Sequence, residues 1–292
     1  MPELPEVETV RAGLAPHVRG RRITNARVSG KRLRLPWPDD FIRRIEGRRV
    51  LALRRRAKFL LWELSGGLWL ISHLGMSGRY SVLPPRGKGR ALGEFYFHDT
   101  VENGAGAHDH LLLVLDDGTR VIYTDPRRFG FFDLTHDPGA HPMLRHLGPE
   151  PLSDDFSAAH LAQAFHGRSV PVKNLLLDQR IVAGLGNIYV CEALFHAGIS
   201  PRRGGASLSP AGRPTARLER LVTAVRDVLA QAIAAGGSTL RDHQQVNGAQ
   251  GGFQQEFAVY GRAGAPCRIC GAPIRRITQS GRGTFYCGNC QR

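Results

Sequence analysis

No apolar run in the sequence reaches the length of a membrane span, and the first ten residues, MPELPEVETV, carry acidic groups where a signal peptide has its apolar stretch. A soluble, intracellular protein with no membrane partner is expected. Cysteine is scarce: there are five in 292 residues, four of them between positions 267 and 290. That distribution argues against a disulfide framework and points to a metal. Acidic residues are outnumbered, 25 against 40 Lys plus Arg, which leaves a formal charge of +15. Such an excess favours a polyanionic partner. The basic residues gather at Arg19, Arg21 and Arg22, at Arg43 and Arg44, at Arg48 and Arg49, and at Arg54, Arg55, Arg56 and Lys58, which puts nucleic acid ahead of an anionic membrane. A merely solvated basic surface is the alternative that charge alone leaves open. The sequence has no internal repeat.

What is present suffices for real cores. With 42% hydrophobic residues the chain is not disordered, and its length predicts two domains and a small satellite. Val7, Val10, Leu14 and Val18 recur at helical spacing, and Glu3, Glu6 and Glu8 stand near the start of that stretch, where carboxylates complement the helix dipole. From about residue 20 to 135 the pattern shifts to short β-like runs, among them Val50–Leu53, Phe59–Leu64, Leu68–Ser72, Leu111–Leu115 and Arg120–Tyr123. Asp116-Asp117-Gly118 reads as the hairpin turn between the last two. Many short strands with glycine turns imply a sandwich or barrel. Residues 84–107 are rich in Gly, Pro and charge and read as a long exposed loop with at most one short strand, Phe95–Phe97.

A Pro/Gly-rich stretch at 136–152 reads as an interdomain linker, so the expected division is 1–135, 153–262 and 263–292. Beyond the linker the period is helical again, clearest from Leu218 to Ile233, with Gly236-Gly237 as a C-cap.

Three local signals carry chemistry. The strongest is Cys267-Arg-Ile-Cys270 with Cys287-Gly-Asn-Cys290, sixteen residues intervening, a spacing that can close a tetrahedral thiolate site around one Zn²⁺. A redox or disulfide role is the alternative. Four thiolates leave no open position for water, so the zinc is expected to be structural. Between the pairs, Ile274–Ile277 and Thr284–Tyr286 read as a hairpin turning at Gly281 and Gly283, whose tip presents Gln279, Arg282 and Thr284. The second signal is Gly184-Leu-Gly186-Asn187-Ile-Tyr189 between two apolar helix-like runs. Glycines before a helix N-terminus let backbone N–H groups approach a phosphate, although a plain helix-turn-helix explains the pattern as well. The third is Pro2, which becomes a terminal secondary amine once Met1 is removed. An α-amino group titrates near 7.7–8.0, so part of it is neutral and nucleophilic at pH 7, and Glu3 beside it can shuttle protons. An ordinary processed terminus is the competing explanation.

Taken in order, MPELPEVETVR, RRAKFLLWEL, SHLGMSGR, DPRRFG, LLDQRIVAGLGNIY, GGSTLRD with VYGR, and the paired CxxC tail resemble the formamidopyrimidine-DNA glycosylase family nearly end to end. The resemblance implies an α+β fold: an N-terminal β-sandwich with flanking helices, a helical helix-two-turn-helix domain, and a C-terminal β-hairpin zinc finger. It implies a base-excision repair enzyme, a bifunctional glycosylase and abasic-site lyase. The substrate would be double-stranded DNA carrying 8-oxoguanine, a formamidopyrimidine or an abasic site, met by a monomer in the bacterial cytoplasm at the nucleoid.

By the same resemblance Pro2 is the nucleophile, Glu3 its acid/base partner and Lys58 the essential lysine near the reacting sugar. Met76, Arg127 and Phe129 fill the space left by the flipped base, as an apolar wedge with an arginine suits. His73, Asn187, Tyr260 and Arg282 contact phosphate, and Arg282 stands with the catalytic set too. Glu6, Ser238, Thr239, Leu240 and Arg241 lie at the lesion pocket. The segment from Ser238 to Phe253 resembles the loop that closes over the base, and its Gly, Asn and Gln content predicts mobility until DNA binds.

Two departures stand out: residues 86–107 are longer than usual, and Cys191 replaces a common acidic residue, either as a small buried hydrophobe or as a reactive thiol. The rival readings are the sister endonuclease VIII-like glycosylases, which prefer oxidised pyrimidines, and a non-catalytic DNA-binding zinc protein.

Overall fold

The first helix, α1 (Leu4–Val18), begins where its sequence tells it to. Glu3 is the N-cap and forms a capping box with Glu6, and Pro5 sits in the first turn, where a missing N–H costs no helical bond. The helix buries Leu4, Val7, Val10, Leu14 and Val18. In the computed structural model the described residues are 1–85, 106–238 and 252–292. They fall into two units, Met1–Arg145 with Ala235–Gly252, and His146–Ala234 with Phe253–Arg292.

In the first unit α1 packs against two four-stranded antiparallel sheets. One has the order β1 (Ile23–Val28), β6 (Asp109–Leu115), β7 (Arg120–Thr124), β5 (Arg79–Leu83). The other runs β2 (Val50–Arg56), β3 (Phe59–Leu64), β4 (Leu68–His73), β8 (Phe131–Thr135). A five-residue helix, α2 (Phe41–Ile45), lies against β1. Leu60 and Trp62 of one sheet and Val121 and Tyr123 of the other share a single buried cluster with α1, the expected sandwich.

The five expected strands are present, four of them longer by one to three residues. β1, β5 and β8 were not singled out in the sequence. β1 buries only Ile23 and Ala26 and has a register shift after Ile23, so its alternation is broken. Between β6 and β7 the hairpin turn falls at Asp116-Asp117-Gly118 as expected, with Gly118 at φ +85. The expected strand at Phe95–Phe97 and most of the 84–107 loop lie outside the described residues.

The second unit is mainly helical: α3 (Ala158–Phe165), capped by Ser157, then α4 (Val172–Leu177), α5 (Asn187–His196) and α6 (Ala216–Ala234). α6 buries Leu218, Leu221, Val222, Val225, Val228, Leu229 and Ala232, the stripe read from the sequence, against α5 and α3. Between α4 and α5 a double turn is stapled by Gln179. Its Nε2 donates to the Leu177 and Leu185 carbonyls, and its Oε1 accepts from Gly184 N–H. This is the helix-two-turn-helix arrangement. The unit ends in the hairpin β9 (Ile274–Gln279) and β10 (Arg282–Cys287).

The 136–152 stretch is ordered rather than loose. Its first half stays with the first unit, where His141 Nε2 bonds Asp133 and Leu144 is buried. The second half belongs to the helical unit, where Gly148 N–H donates to the Gln179 carbonyl. Among the described residues no helix is long and apolar enough to cross a membrane.

Candidate active site and nucleic-acid interface

At the head of α1, Met1 is half-exposed while Pro2, Glu3 and Glu6 are buried. The Glu6 carboxylate accepts the Glu3 N–H through Oε2 at 2.8 Å, and both the N–H and the hydroxyl of Ser238 through Oε1 at 2.8 and 2.9 Å. Gly237 is at φ +80, and a Cβ there would lie 3.2 Å from Glu6 Oε1, so glycine is what lets this backbone close on the helix. Ser238 is thus brought to Glu6. Thr239, Leu240 and Arg241, with the remainder of the closing loop through residue 251, lie outside the described residues.

An ion pair from Arg55 Nε to Glu8 Oε2 at 3.0 Å ties β2 to α1. Two residues on, the β2–β3 turn places Ala57 at φ +51 and leaves Lys58 buried at 7% exposure. Phe59 pairs with His73 across β3 and β4, so the lysine and the histidine are neighbours. Burial, then the charges of Lys58 and Arg34, push the His73 pKa down to about 4. Its Nδ1 accepts the Gly75 N–H at 2.9 Å, which leaves Nε2 as the protonated nitrogen and the free donor. Phe59 and Phe131 flank the ring, with centroids at 5.0 and 5.6 Å. A neutral imidazole held this way can donate one hydrogen bond to a phosphate oxygen.

Met76 is part-buried, while Arg127 is exposed and Phe129 is 46% exposed. The Arg127 guanidinium lies 5.2 Å from the Phe129 ring centroid. An exposed phenylalanine under an arginine is a surface feature, so ordinary core packing does not describe this pair.

In the second unit Asn187 opens α5, and one of its amide hydrogens is already engaged: Nδ2 donates to the Gly283 carbonyl at 2.9 Å. Arg282 is exposed at the start of β10. The hairpin turns at Ser280 and Gly281, φ +48 and +72, whereas Gly283 lies within the strand, opposite Thr278. Thr284, expected at the tip, is fully buried and accepts from Lys173 Nζ at 2.6 Å. Gln279 is bound to the Pro201 carbonyl. Of the expected tip residues only Arg282 is presented. Tyr260 stacks edge-on with Phe257 and Phe285, and Glu192 receives its N–H together with those of Ala258 and Val259, at 2.7–3.0 Å.

The four cysteine sulfurs, of Cys267, Cys270, Cys287 and Cys290, lie within 4.8 Å of one another, with Cys270–Cys287 at 3.4 Å and Cys267–Cys290 at 3.9 Å. Thiolates about 2.3 Å from a tetrahedral Zn²⁺ stand about 3.8 Å apart, so the donor set fits zinc. Backbone N–H groups of Ile269 and Cys290 point at the Cys267 and Cys287 sulfurs, each at 3.5 Å, as outer-shell donors to thiolate do. Cys191 is buried beside this site among Phe195, Val259 and Ile274, the small-hydrophobe reading.

Three residues to which sequence reasoning gave no role are buried and hydrogen-bonded: Asp125, Lys173 and Glu192. Glu192 had a signal, a lone acid in the apolar run Ile188–Phe195, and Asp125 opens the DPRRFG stretch; Lys173 had none, since its partners Gly283 and Thr284 are distant in sequence. The arginine clusters also read differently in three dimensions. Arg22 and Arg49 donate to the Gly47 and Gly20 carbonyls, Arg48 to that of Ser65, and Arg21, Arg43, Arg54 and Arg55 pair with acids of the same unit. Much of the clustered charge is therefore engaged within its own unit, at turns, across strands and against α1.

A β-sandwich, a helix-two-turn-helix and a four-thiolate hairpin in one chain define a class of zinc-containing nucleic-acid-binding proteins. Residues 1–132 match the formamidopyrimidine-DNA glycosylase N-terminal domain, residues 147–244 the H2TH domain of the same enzymes, and residues 264–292 the zinc finger found in FPG and IleRS. The chain is 53% identical to the formamidopyrimidine-DNA glycosylase of Ruegeria sp. (strain TM1040) and 52% to that of Paracoccus denitrificans (strain Pd 1222), over the whole of each chain. Among solved structures it is similar to the MutM (FPG) protein of Thermus thermophilus, at 40% identity and TM-score 0.80 over 99% of this chain and 98% of that one. It is also similar to the Lactococcus lactis Fpg in complex with DNA containing an abasic site, at 31% identity and TM-score 0.83 over all of both chains. The chain belongs to the formamidopyrimidine-DNA glycosylase family.

Proposed function

We propose that this protein is a base-excision repair enzyme that removes oxidised purines, 8-oxoguanine and formamidopyrimidines, from duplex DNA and then cleaves the strand as an abasic-site lyase. It acts as a monomer, in the bacterial cytoplasm at the nucleoid. The observation that carries the reading is the head of α1. A prolyl residue precedes a helix whose N-cap and first-turn carboxylates, Glu3 and Glu6, are buried, and the helix packs on the strand that leads into buried Lys58.

With Met1 removed, the neutral secondary amine of Pro2 attacks C1′ of the damaged nucleotide and loses its proton. The base departs with its bonding electrons and takes up a proton. Glu3 protonates O4′ as the C1′–O4′ bond opens, which leaves an iminium between the Pro2 nitrogen and C1′. The iminium acidifies the C2′ proton, whose loss expels the 3′-phosphate; loss of the C4′ proton then expels the 5′-phosphate. Water hydrolyses the remaining iminium and frees the amine. Lys58 and His73 hold the phosphate beside the reacting sugar, the first as a charge and the second as a neutral donor. Glu6 and Ser238 line the space for the extruded base, while Met76, Arg127 and Phe129 fill the gap it leaves. Asn187, Tyr260 and Arg282 contact phosphates from the helical unit, and Arg282 assists the departure of phosphate. Cys267, Cys270, Cys287 and Cys290 hold one structural Zn²⁺, which fixes the finger that carries Arg282.

Borohydride reduces an iminium to a stable amine. A covalent complex is expected with an 8-oxoguanine duplex and not with undamaged DNA. Failure to form one on the lesion duplex overturns the enzymatic reading and leaves a DNA-binding zinc protein. Preferential trapping on oxidised pyrimidines would move the chain to the sister branch.

A further inference from the structure

The three side chains assigned to the vacated base position come from two separate loops, Met76 from residues 74–78 and Arg127 and Phe129 from 126–130. Between them lies Asp125, a carboxylate with no exposed surface. Its Oδ1 accepts the Ser77 hydroxyl at 2.6 Å. Its Oδ2 accepts the Gly130 N–H at 2.8 Å and the Tyr123 hydroxyl at 3.2 Å. Ser77 Oγ in turn accepts the Arg127 N–H at 3.2 Å, and the Asp125 carbonyl accepts the Arg128 N–H at 3.2 Å and meets a ring nitrogen of buried His110 at 3.0 Å. The loops also touch backbone to backbone. A Cβ on Gly75 would stand 2.3 Å from Gly130 N, and one on Gly130 or Gly78 would strike the Tyr123 hydroxyl at 1.8 or 2.3 Å. Burial and the neighbouring Asp125 charge hold the Tyr123 phenol well above its ordinary pKa, so it remains a donor.

We infer that Asp125 is a positioning residue that locks Met76, Arg127 and Phe129 into one preassembled wedge, so that all three enter the duplex together when the damaged nucleotide leaves it. The inference rests on the proposed insertion role of those three. A free Phe129 or Arg127 would have to be ordered during extrusion, and ordering side chains and backbone at that moment opposes the step. Two hydroxyls and an amide reach the carboxylate, all of them donors. Asn at this position sets its own N–H groups against one or more of them, whereas Ser77→Ala removes one of the three donors to the carboxylate and with it the link to the Arg127 N–H, leaving Gly130 and Tyr123 in place.

The test compares a substrate that must be opened with one that need not be. Single-turnover borohydride trapping is measured for wild type, Asp125→Asn and Ser77→Ala, on a duplex with 8-oxoguanine and on a single-stranded oligonucleotide with an abasic site. The variants are expected to slow tenfold or more on the duplex and less than twofold on the single strand. Ser77→Ala should add little to the loss caused by Arg127→Ala, since both act through one wedge. Equal loss on both substrates marks a general folding effect and overturns the inference, as does a Ser77→Ala protein that keeps the wild-type duplex rate. Wild type that traps neither substrate sinks the proposed function instead.

Discussion

Glu192 offers the sharpest physical test of how the helical unit carries Tyr260. The carboxylate is 1% exposed; Oε2 accepts the Ala258 N–H at 2.8 Å, and Oε1 accepts those of Val259 and Tyr260 at 3.0 and 2.7 Å. Ala258 and Val259 are themselves buried, so water has little access to replace the acceptor. Each buried N–H left without a partner costs about 1–3 kcal/mol. Glu192→Ala strands three, a loss of roughly 3–6 kcal/mol after relaxation, a large share of the 5–15 kcal/mol typical of a folded domain. In Glu192→Gln the amide oxygen can keep the Val259 and Tyr260 pair while its NH₂ faces Ala258, for about 1–3 kcal/mol. Urea unfolding followed by far-UV circular dichroism reads the helices of this unit. Tryptophan fluorescence reads the other, since Trp37, Trp62 and Trp69 all belong to it. The dichroism midpoint should fall in the order wild type, Gln, Ala, and the Gln variant should bind DNA more weakly by fluorescence anisotropy because Tyr260 is less fixed. An Ala variant with an unmoved dichroism transition would refute the reasoning.

Other consequences are equally concrete. The His73 imidazole should titrate near pH 4 by NMR in the free protein. Because the unfolded chain takes up that proton near the ordinary 6.5, His73 makes stability rise with pH between about 4 and 6.5 and fall as pH drops through that window; a native midpoint near 6.5 contradicts this. Stripping zinc, or Cys270→Ser, should weaken duplex binding through Arg282, and unchanged affinity after complete metal removal would contradict that. Arg282→Ala should lower the slope of log affinity against log salt by about one phosphate contact, and an unaltered slope would remove Arg282 from the interface. Gly237→Ala carries the strain of φ +80, about 1–3 kcal/mol, and a Cβ against Glu6; its melting temperature and lesion-duplex rate should both fall, and a variant with neither lowered is the contrary result.

Local regularities of the chain were the legible ones. The α1 stripe, the run Phe59–Leu64, the Asp-Asp-Gly turn and the two CxxC pairs each announce themselves within a few residues, through a period, a turn chemistry or a ligand spacing. Strand β1 did not, because a register shift breaks its alternation. Thr284 was misplaced at the finger tip for a related reason: the amine that buries it, Lys173, is 111 residues away, and nothing near either residue signals the bond. Asp125 likewise reads as one more acid beside arginines until Ser77, 48 positions earlier, is seen to meet it. Buried polar partnerships of this kind are set by tertiary closeness, and a single sequence carries period and spacing but not closeness.

Where the sugar remnant sits after borohydride reduction decides the nucleophile. Trypsin releases residues 2–11, PELPEVETVR, a peptide with no lysine, whose only amine is that of Pro2. Mass spectrometry is expected to find the remnant on this peptide with Met1 absent. A remnant on a lysine-containing peptide instead, or fully active protein that still carries Met1, contradicts the account.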